Sequence, residues 1–341
     1  MSTATERAGL SETQRQIVDL AREFARTRIE PQAAEWDRTA RFPADVVAEL
    51  GGLGFLGLVT PESHDGMGLD ALTYLLVLEE LAAADAGLAI SVHFHHAAQR
   101  AIGTPGQQER WLAPLARGEM LATLALGDPE PGTVSWVTNG ATVGLAVVRA
   151  RGPSGVAAAL VPTDTAGYRP GKAADSIGLR SAPIVPVALD GVEVPADHLL
   201  GDEQPALDFA RLGTATAAVG IARRALEHAV GYCAERRQFG KALREFEAVQ
   251  FKLAEMATRV AGARALAHQA AAMGVAGMAR LCASAAAEWV TIQAIQLFGG
   301  YGYMRDFPVE KLLRDAKALE RYDATGELQR LIVARDLYAG R

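Results

Sequence analysis

Gln296-Leu-Phe-Gly-Gly-Tyr-Gly-Tyr303, Pro308-Val-Glu-Lys-Leu-Leu-Arg-Asp-Ala-Lys317 and Arg321-Tyr-Asp-Ala-Thr-Gly-Glu-Leu-Gln-Arg330 follow one another near the C-terminus, and their reading decides the fold. The first segment reads as a helix that stops at a glycine pair and passes into a glycine-rich turn. Gly299, Gly300 and Gly302 tolerate positive φ and let a ligand approach the backbone. Pro308 suits the first position of a short helix, and Glu310 and Arg314 stand at i,i+4 on it. A last amphipathic helix follows. Asp323 stands just before that helix, where a carboxylate serves either as an N-cap worth about 1 kcal/mol or as a working base.

Upstream, apolar periodicity predicts helices over 206–235, 245–273 and 277–298. From about Leu121 the character is different. Val, Thr, Gly and Pro rise, and β-like runs appear at Leu121–Leu126, Leu145–Arg149, Val156–Val161 and Ile184–Leu189. The N-terminal part is helical again. Ser11 and Gln14 form a capping-box signature before Ile17, Leu20, Phe24 and Ile29. Phe42-Pro43 precedes a second helix that runs to about Leu50, and helical patterns resume at Asp70–Ala84 and Ile90–Ile102. Gly52-Leu-Gly-Phe-Leu-Gly57 matches a dinucleotide fingerprint in letters only. It follows a helix and runs into Val59-Thr-Pro-Glu, whereas the fingerprint needs a strand before it and a helix after it. His93, His95 and His96 lack the i,i+4 spacing and carboxylate partner of a metal site and read as packing or surface histidines. The order α, β, α divides the chain into expected domains at 1–120, 121–205 and 206–341.

The chain has 341 residues, half of them apolar, enough for one large or several small cores. A net charge of −6 and a pI near 5.7 make no case for nucleic-acid binding. Cys233 and Cys282 are the only cysteines and read as two buried reduced thiols, with no disulfide framework or metal spacing. The start, Met1-Ser-Thr-Ala-Thr-Glu-Arg, lacks a signal-peptide core, and no unbroken apolar run approaches the roughly 20 residues that span a bilayer. A cytoplasmic protein without a membrane partner is expected.

The C-terminal segments resemble the acyl-CoA dehydrogenase family, whose pattern is Gln-x-x-Gly-Gly-x-Gly, then Pro-x-Glu-x-x-x-Arg-Asp-Ala-Lys, then Glu-Gly-Thr-x-Glu/Gln-x-Gln-Arg. The resemblance covers nearly the whole chain. It implies a multidomain α+β fold with an N-terminal α-helical domain, a small and here shortened middle β-barrel domain, and a C-terminal four-helix bundle. Trp136-Val-Thr-Asn-Gly140 is similar to the strand that packs its tryptophan beside the flavin and hydrogen-bonds its threonine, here Thr138, near flavin N5. Arg236, Gln238 and Phe239, with Phe246, match the motif that contacts the FAD diphosphate and adenosine across a subunit boundary, completed by Gln296, Gly299 and Gly300. Thr325 and Glu327 fall at the cofactor positions of the last motif. On the substrate side stand Thr133, Asp208, Arg211 and Ala324. Asp208 and Arg211 read equally well as a solvated helix face.

The resemblance further implies FAD-dependent α,β-dehydrogenation of an acyl thioester, on CoA or an acyl carrier protein. Asp323 would take the α-proton while flavin N5 accepts the β-hydride. A homo-oligomer sharing FAD sites, a dimer or a homotetramer built as a dimer of dimers, follows, with an electron-transfer flavoprotein as a possible acceptor. The chain departs from the pattern in several places. Gly127, Asp128 and Val134 replace usual loop residues, Glu247 replaces glutamine, and Thr133 is so near Trp136 that the hairpin usual between them is missing. Asp323 stands for glutamate and Ala324 for glycine. Aspartate is shorter by one C–C bond, roughly 1.5 Å, and a misplacement of about 1 Å lowers a rate on the order of 100-fold. Two alternatives stay open: a nitroalkane-oxidase-like flavoprotein using Asp323 as base, and a flavin-free or degenerate homologue serving as a non-catalytic partner or running altered chemistry.

Overall fold

The computed structural model describes residues 10–127, 132–152, 155–322 and 325–338. Helix α1 (Glu12–Phe24) starts at the expected capping box: the Gln14 amide donates to Ser11 Oγ at 3.2 Å, and Ser11 N donates to Gln14 Oε1 at 2.9 Å. A π-helical turn at Ala25–Ile29 leads into α2 (Glu30–Thr39), followed by α3 (Ala44–Gly52), α4 (Ala71–Ala84), α5 (Ala86–Ala101) and α6 (Pro105–Ala116). Helices α4 and α5 are apolar on nearly every face, the pattern of core helices, and both are buried along most of their length. Asp70 and Asp85 cap them, accepting from Thr73 N at 2.9 Å and Leu88 N at 2.8 Å. Gly52 ends α3 and opens a turn, so the glycine-rich stretch has no strand before it and is no dinucleotide loop.

The β region forms two three-stranded sheets. One joins β1 (Ala122–Ala125), β3 (Leu145–Gly152) and β4 (Gly155–Pro162); the other joins β2 (Thr133–Thr138), β6 (Ile184–Leu189) and β5 (Tyr168–Pro170). Alternate residues point between the sheets, where Val134, Val137, Val148, Val161, Val185 and Val187 make a small separate core. The pairing of β2 with β6 slips between Val134 and Val137, which places Trp136 at a φ of 63°.

Helix α7 (Gln204–Glu235) spans the molecule and packs against α4 and α5 on one side, and against α8 (Glu247–Met273) and α9 (Ala276–Phe298) on the other. Gly220 permits the close crossing with α4: a Cβ there would lie 2.8 Å from the Glu79 carbonyl oxygen. A short 3-10 turn (Gly299–Tyr303), α10 (Val309–Leu319) and α11 (Gly326–Tyr338) complete the chain. The helical stretch Ala276–Tyr303 is long and apolar enough by itself to cross a bilayer, with a mean hydropathy of 1.2. Scattered polar residues such as Arg280 and Glu288 break its apolar run in the sequence. Half of its most apolar window is buried, against α7, α8 and α10, so it serves as a core helix.

The motif Pro308–Lys317 clasps the three regions together. Arg314 pairs with Glu310 on its own helix at 2.7 Å and with Asp37 of α2 at 2.6 Å. Lys311 lies between Asp85, at 2.9 Å, and Asp315, at 2.7 Å. Asp315 in turn accepts from Leu179 N at 2.7 Å, and Ser181 Oγ donates to Asp85. Gly178 lies so close to α10 that a Cβ would overlap the Arg314 carbonyl.

Candidate active site

The end of β2 meets the end of α10. Tyr322 Oη and Thr138 Oγ1 are 2.5 Å apart, joining residues 184 positions apart in the chain. The Tyr322 ring meets Phe94 of α5 edge-on, with centroids 5.4 Å apart. Two residues before Thr138, Trp136 is 69% exposed although it sits on a strand. A bulky side chain at positive φ is strained backbone, and such strain gathers at ligand sites. Thr133, at the start of β2, pairs with Ala188.

Asp323 and Ala324 lie outside the described residues. Their neighbours still bear on Asp323. Helix α11 starts at Gly326, and Thr325 Oγ1 accepts from Leu328 N at 3.3 Å, so Thr325 holds the cap that the sequence offered to Asp323. Glu327 is exposed in the first turn, where its own backbone N–H and then the Thr325 hydroxyl hold its carboxyl below the usual range.

A second group gathers at the far end of α7. Arg236 caps that helix, and Arg237–Gln238 pairs with Lys241–Ala242 in a minimal hairpin. Phe239 and Gly240 form its two-residue tip, both at positive φ (50° and 83°), as the right-handed strand twist favours. The tip leaves Phe239 94% exposed. The sequence marked a turn here but not the hairpin, because phenylalanine at its first position hides the signal that Gly240 gives. Tyr232, Arg236, Gln238, Gly299, Gly300 and Tyr301 line a cleft of about 470 Å³. The Arg236 guanidinium lies over the Tyr301 ring at 5.5 Å. Gly299 has φ 60° and ψ −136°, a conformation open to glycine, and neither it nor Gly300 has anything within 4 Å of a would-be Cβ. Gln296 is exposed on the last turn of α9, and Phe246 starts α8 with Lys241 Nζ 4.2 Å from its ring centroid. No hydrogen bond or ring contact among the described residues joins this group to the one at Thr138.

Asp208 and Arg211 pair with each other at 2.6 Å near the start of α7, and Gln204 donates to Asp208 at 2.9 Å. The Arg211 side chain is only 12% exposed, so the pair is not simply a solvated face. The three histidines are buried packing residues. Tyr74 Oη lies 2.8 Å from His93 Nδ1, and His93 Nε2 reaches the Ala210 carbonyl at 3.0 Å. Burial pushes His93, His95 and His96 down to about 4, 3 and 4, so all three are neutral. Among the described residues no cluster of metal-ligating side chains occurs. Cys233 is buried, as expected, whereas Cys282 lies on the open face of α9 and is exposed, a correction to the expected pair of buried thiols. Phe209, Tyr74, His93 and Phe94 continue the ring contacts inward from Tyr322. Gly213 makes room for this stack, since a Cβ there would overlap the His93 ring. A glycine inside an apolar helix was the one sequence signal for that packing.

The residues fit a flavin dinucleotide. An exposed indole on a strained strand supplies a flat apolar face beside a hydroxyl pair, and a guanidinium over a glycine-backed cleft suits a diphosphate.

The comparisons agree with this geometry. Residues 11–119 match the family model "Acyl-CoA dehydrogenase, N-terminal domain" and residues 203–338 match "Acyl-CoA dehydrogenase, C-terminal domain". An acyl-CoA dehydrogenase of Bacillus subtilis is 34% identical over 375 aligned positions, covering 96% of this chain and 99% of the relative. A short-chain-specific acyl-CoA dehydrogenase of Clostridium acetobutylicum is 32% identical, with coverage of 96% and 99%. Both aligned spans exceed the 341 residues of this chain, so the relatives carry residues opposite gaps in it. Among solved structures, one reported for the electron-transferring flavoprotein of Acidaminococcus fermentans superposes with a TM-score of 0.92 at 33% identity, covering 97% of this chain and 99% of that one. Butyryl-CoA dehydrogenase of Megasphaera elsdenii superposes with a TM-score of 0.91 at 31% identity, with the same coverage. Order of domains, site geometry and relatives converge: the chain belongs to the acyl-CoA dehydrogenase family.

Proposed function

We propose that this protein is an FAD-dependent acyl-thioester dehydrogenase that removes the α-proton of its substrate with Asp323. The observation that carries the reading is the meeting of Thr138 with Tyr322, the residue before Asp323, beside the exposed Trp136. It draws the strand that suits a flavin ring and the segment that bears the carboxylate to one place. FAD, when bound, takes up the hydride equivalent released from the β-carbon. Trp136 and Thr138 hold the ring side. Arg236, Gln238, Gly299 and Gly300 hold the diphosphate side, with Phe239, Phe246 and Gln296 flanking it. A homo-oligomer that shares these groups between copies completes each site in this reading. Thr325 takes the helix cap, which favours giving Asp323 the proton-transfer role rather than the capping one. Thr325 and Glu327 are assigned to the cofactor, and Thr133, Asp208, Arg211 and Ala324 to the thioester.

The names of the relatives, short-chain-specific and butyryl-CoA dehydrogenase, support a short acyl group. The ring-filled space inward of Tyr322 supports it too. A separate electron-transfer flavoprotein is the proposed acceptor, and the cytoplasm the proposed setting. The test is the visible spectrum of the purified protein before and after anaerobic addition of acyl thioesters of graded length. A flavin band that bleaches with a short acyl-CoA is expected. Asp323→Asn is expected to keep the band and to lose bleaching by at least about 100-fold in rate. A colourless protein that takes up no added FAD overturns the reading, as does an Asp323→Asn variant that bleaches at the parent rate.

A further inference from the structure

The Tyr322 phenol has one polar partner among the described residues, Thr138 Oγ1 at 2.5 Å. Thr138 is itself buried. Desolvation pushes the phenol well above its ordinary pKa, so it keeps its proton. The half-buried Tyr322 phenol finds an acceptor for that proton in the Thr138 hydroxyl, which carries one donor and two lone pairs. With Tyr322 donating, the Thr138 oxygen is an acceptor on that side, and its own proton is turned away from Tyr322.

We propose that Tyr322 is a positioning residue that fixes the Thr138 hydroxyl as a hydrogen-bond donor toward the ring of the bound flavin, and so tunes the equilibrium between its oxidised and reduced forms. The inference rests on the proposed flavoprotein function. A hydroxyl locked as donor favours a ring that accepts, the oxidised form, over a ring that has gained a hydrogen and donates. Freed from Tyr322, Thr138 can rotate and accept as well, which removes that bias. Among the described residues the phenol's polar contact is Thr138, and its ring packs on Phe94, so it acts through Thr138.

The test compares the FAD-loaded parent with Tyr322→Phe, Thr138→Val and the double variant. The readouts are the visible flavin spectrum and the oxidised-to-reduced equilibrium against a reference dye. Tyr322→Phe is expected to shift the equilibrium about tenfold toward the reduced form, about 30 mV for a two-electron couple, and to change the flavin band. In the Thr138→Val background the same change is expected to have no effect, because the coupling runs through that hydroxyl. An unchanged equilibrium in coloured Tyr322→Phe protein overturns the inference while leaving the flavoprotein reading intact. So does a shift that persists without the Thr138 hydroxyl. A colourless parent overturns both. A lower melting temperature with an unchanged equilibrium marks Tyr322 as packing only and also overturns it.

Discussion

Replacing Lys311 by methionine tests whether the C-terminal motif Pro308–Lys317 is a clasp rather than chemistry. Lys311 neutralises two wholly buried carboxylates, Asp85 and Asp315. Burial alone would lower the ammonium pKa, but the charges of Asp315 and Asp85 outweigh it and hold Lys311 above its ordinary value. Without the cation, the other oxygens stay bonded, to Leu88 N and Ser181 Oγ on Asp85 and to Leu179 N on Asp315. Both Oδ2 atoms then face each other's charge without a counterion. Breaking a buried pair in this way costs about 3–5 kcal/mol, and for a chain of this length that is about 4–7 °C of melting temperature. The sign with pH follows from the carboxylates. Burial raises the Asp315 pKa even in the parent, and loss of Lys311 raises it further. A group whose folded pKa is raised contributes stability below its unfolded value, and loses it as pH rises through the folded value. The gap between Lys311→Met and the parent should therefore be wide at pH 8 and narrower at pH 5, and adding Asp315→Asn should narrow it at pH 8. Thermal unfolding followed by circular dichroism reads all three. A variant within about 0.5 kcal/mol of the parent at pH 8, or a gap that ignores pH, refutes the reasoning.

Glu79 is a further buried carboxylate, held by Arg264 at 2.8 Å, Arg223 at 2.9 Å and His268 at 3.2 Å. Burial alone would raise its pKa, but the His268 hydrogen bond and the charges of Arg223 and Arg264 bring it to about 2. Its contribution is thus present above the unfolded value near 4.3 and lost as pH falls toward 2; Glu79→Gln should melt several degrees below the parent at pH 7, and the gap should close on acidification over that window. Arg236→Ala should weaken FAD binding about 10–100-fold through loss of charge-assisted bonds to the diphosphate, with the fold intact by circular dichroism. Flavin titration by fluorescence checks it, and retention of parent affinity would remove Arg236 from the site.

The local parts of this molecule were legible in its sequence. Ser11 and Gln14 announce α1 because a capping box is complete within four residues. The long helices were placed within two residues of their ends, 204–235 against 206–235 and 276–298 against 277–298, because glycine and proline punctuate them. The strand Ile184–Leu189 matches its sequence pattern to the residue. What the sequence hid is long-range. Nothing local links Arg314 to Asp37, 277 positions away, or Tyr322 to Thr138. The positive φ of Trp136 arises from a slip against β6, which no pattern within β2 shows. The tight packing of His93 needs a glycine on another helix, Gly213, and its meaning appears only when the two elements cross.

These long-range links bear on the aspartate that replaces the expected glutamate. The described residues on either side of it are held from different elements: Tyr322 to β2 through Thr138, and Thr325 as the cap of α11 by Leu328 N. Aspartate gives up roughly 1.5 Å of reach relative to glutamate, and neither link that holds its neighbours shows in the local sequence pattern.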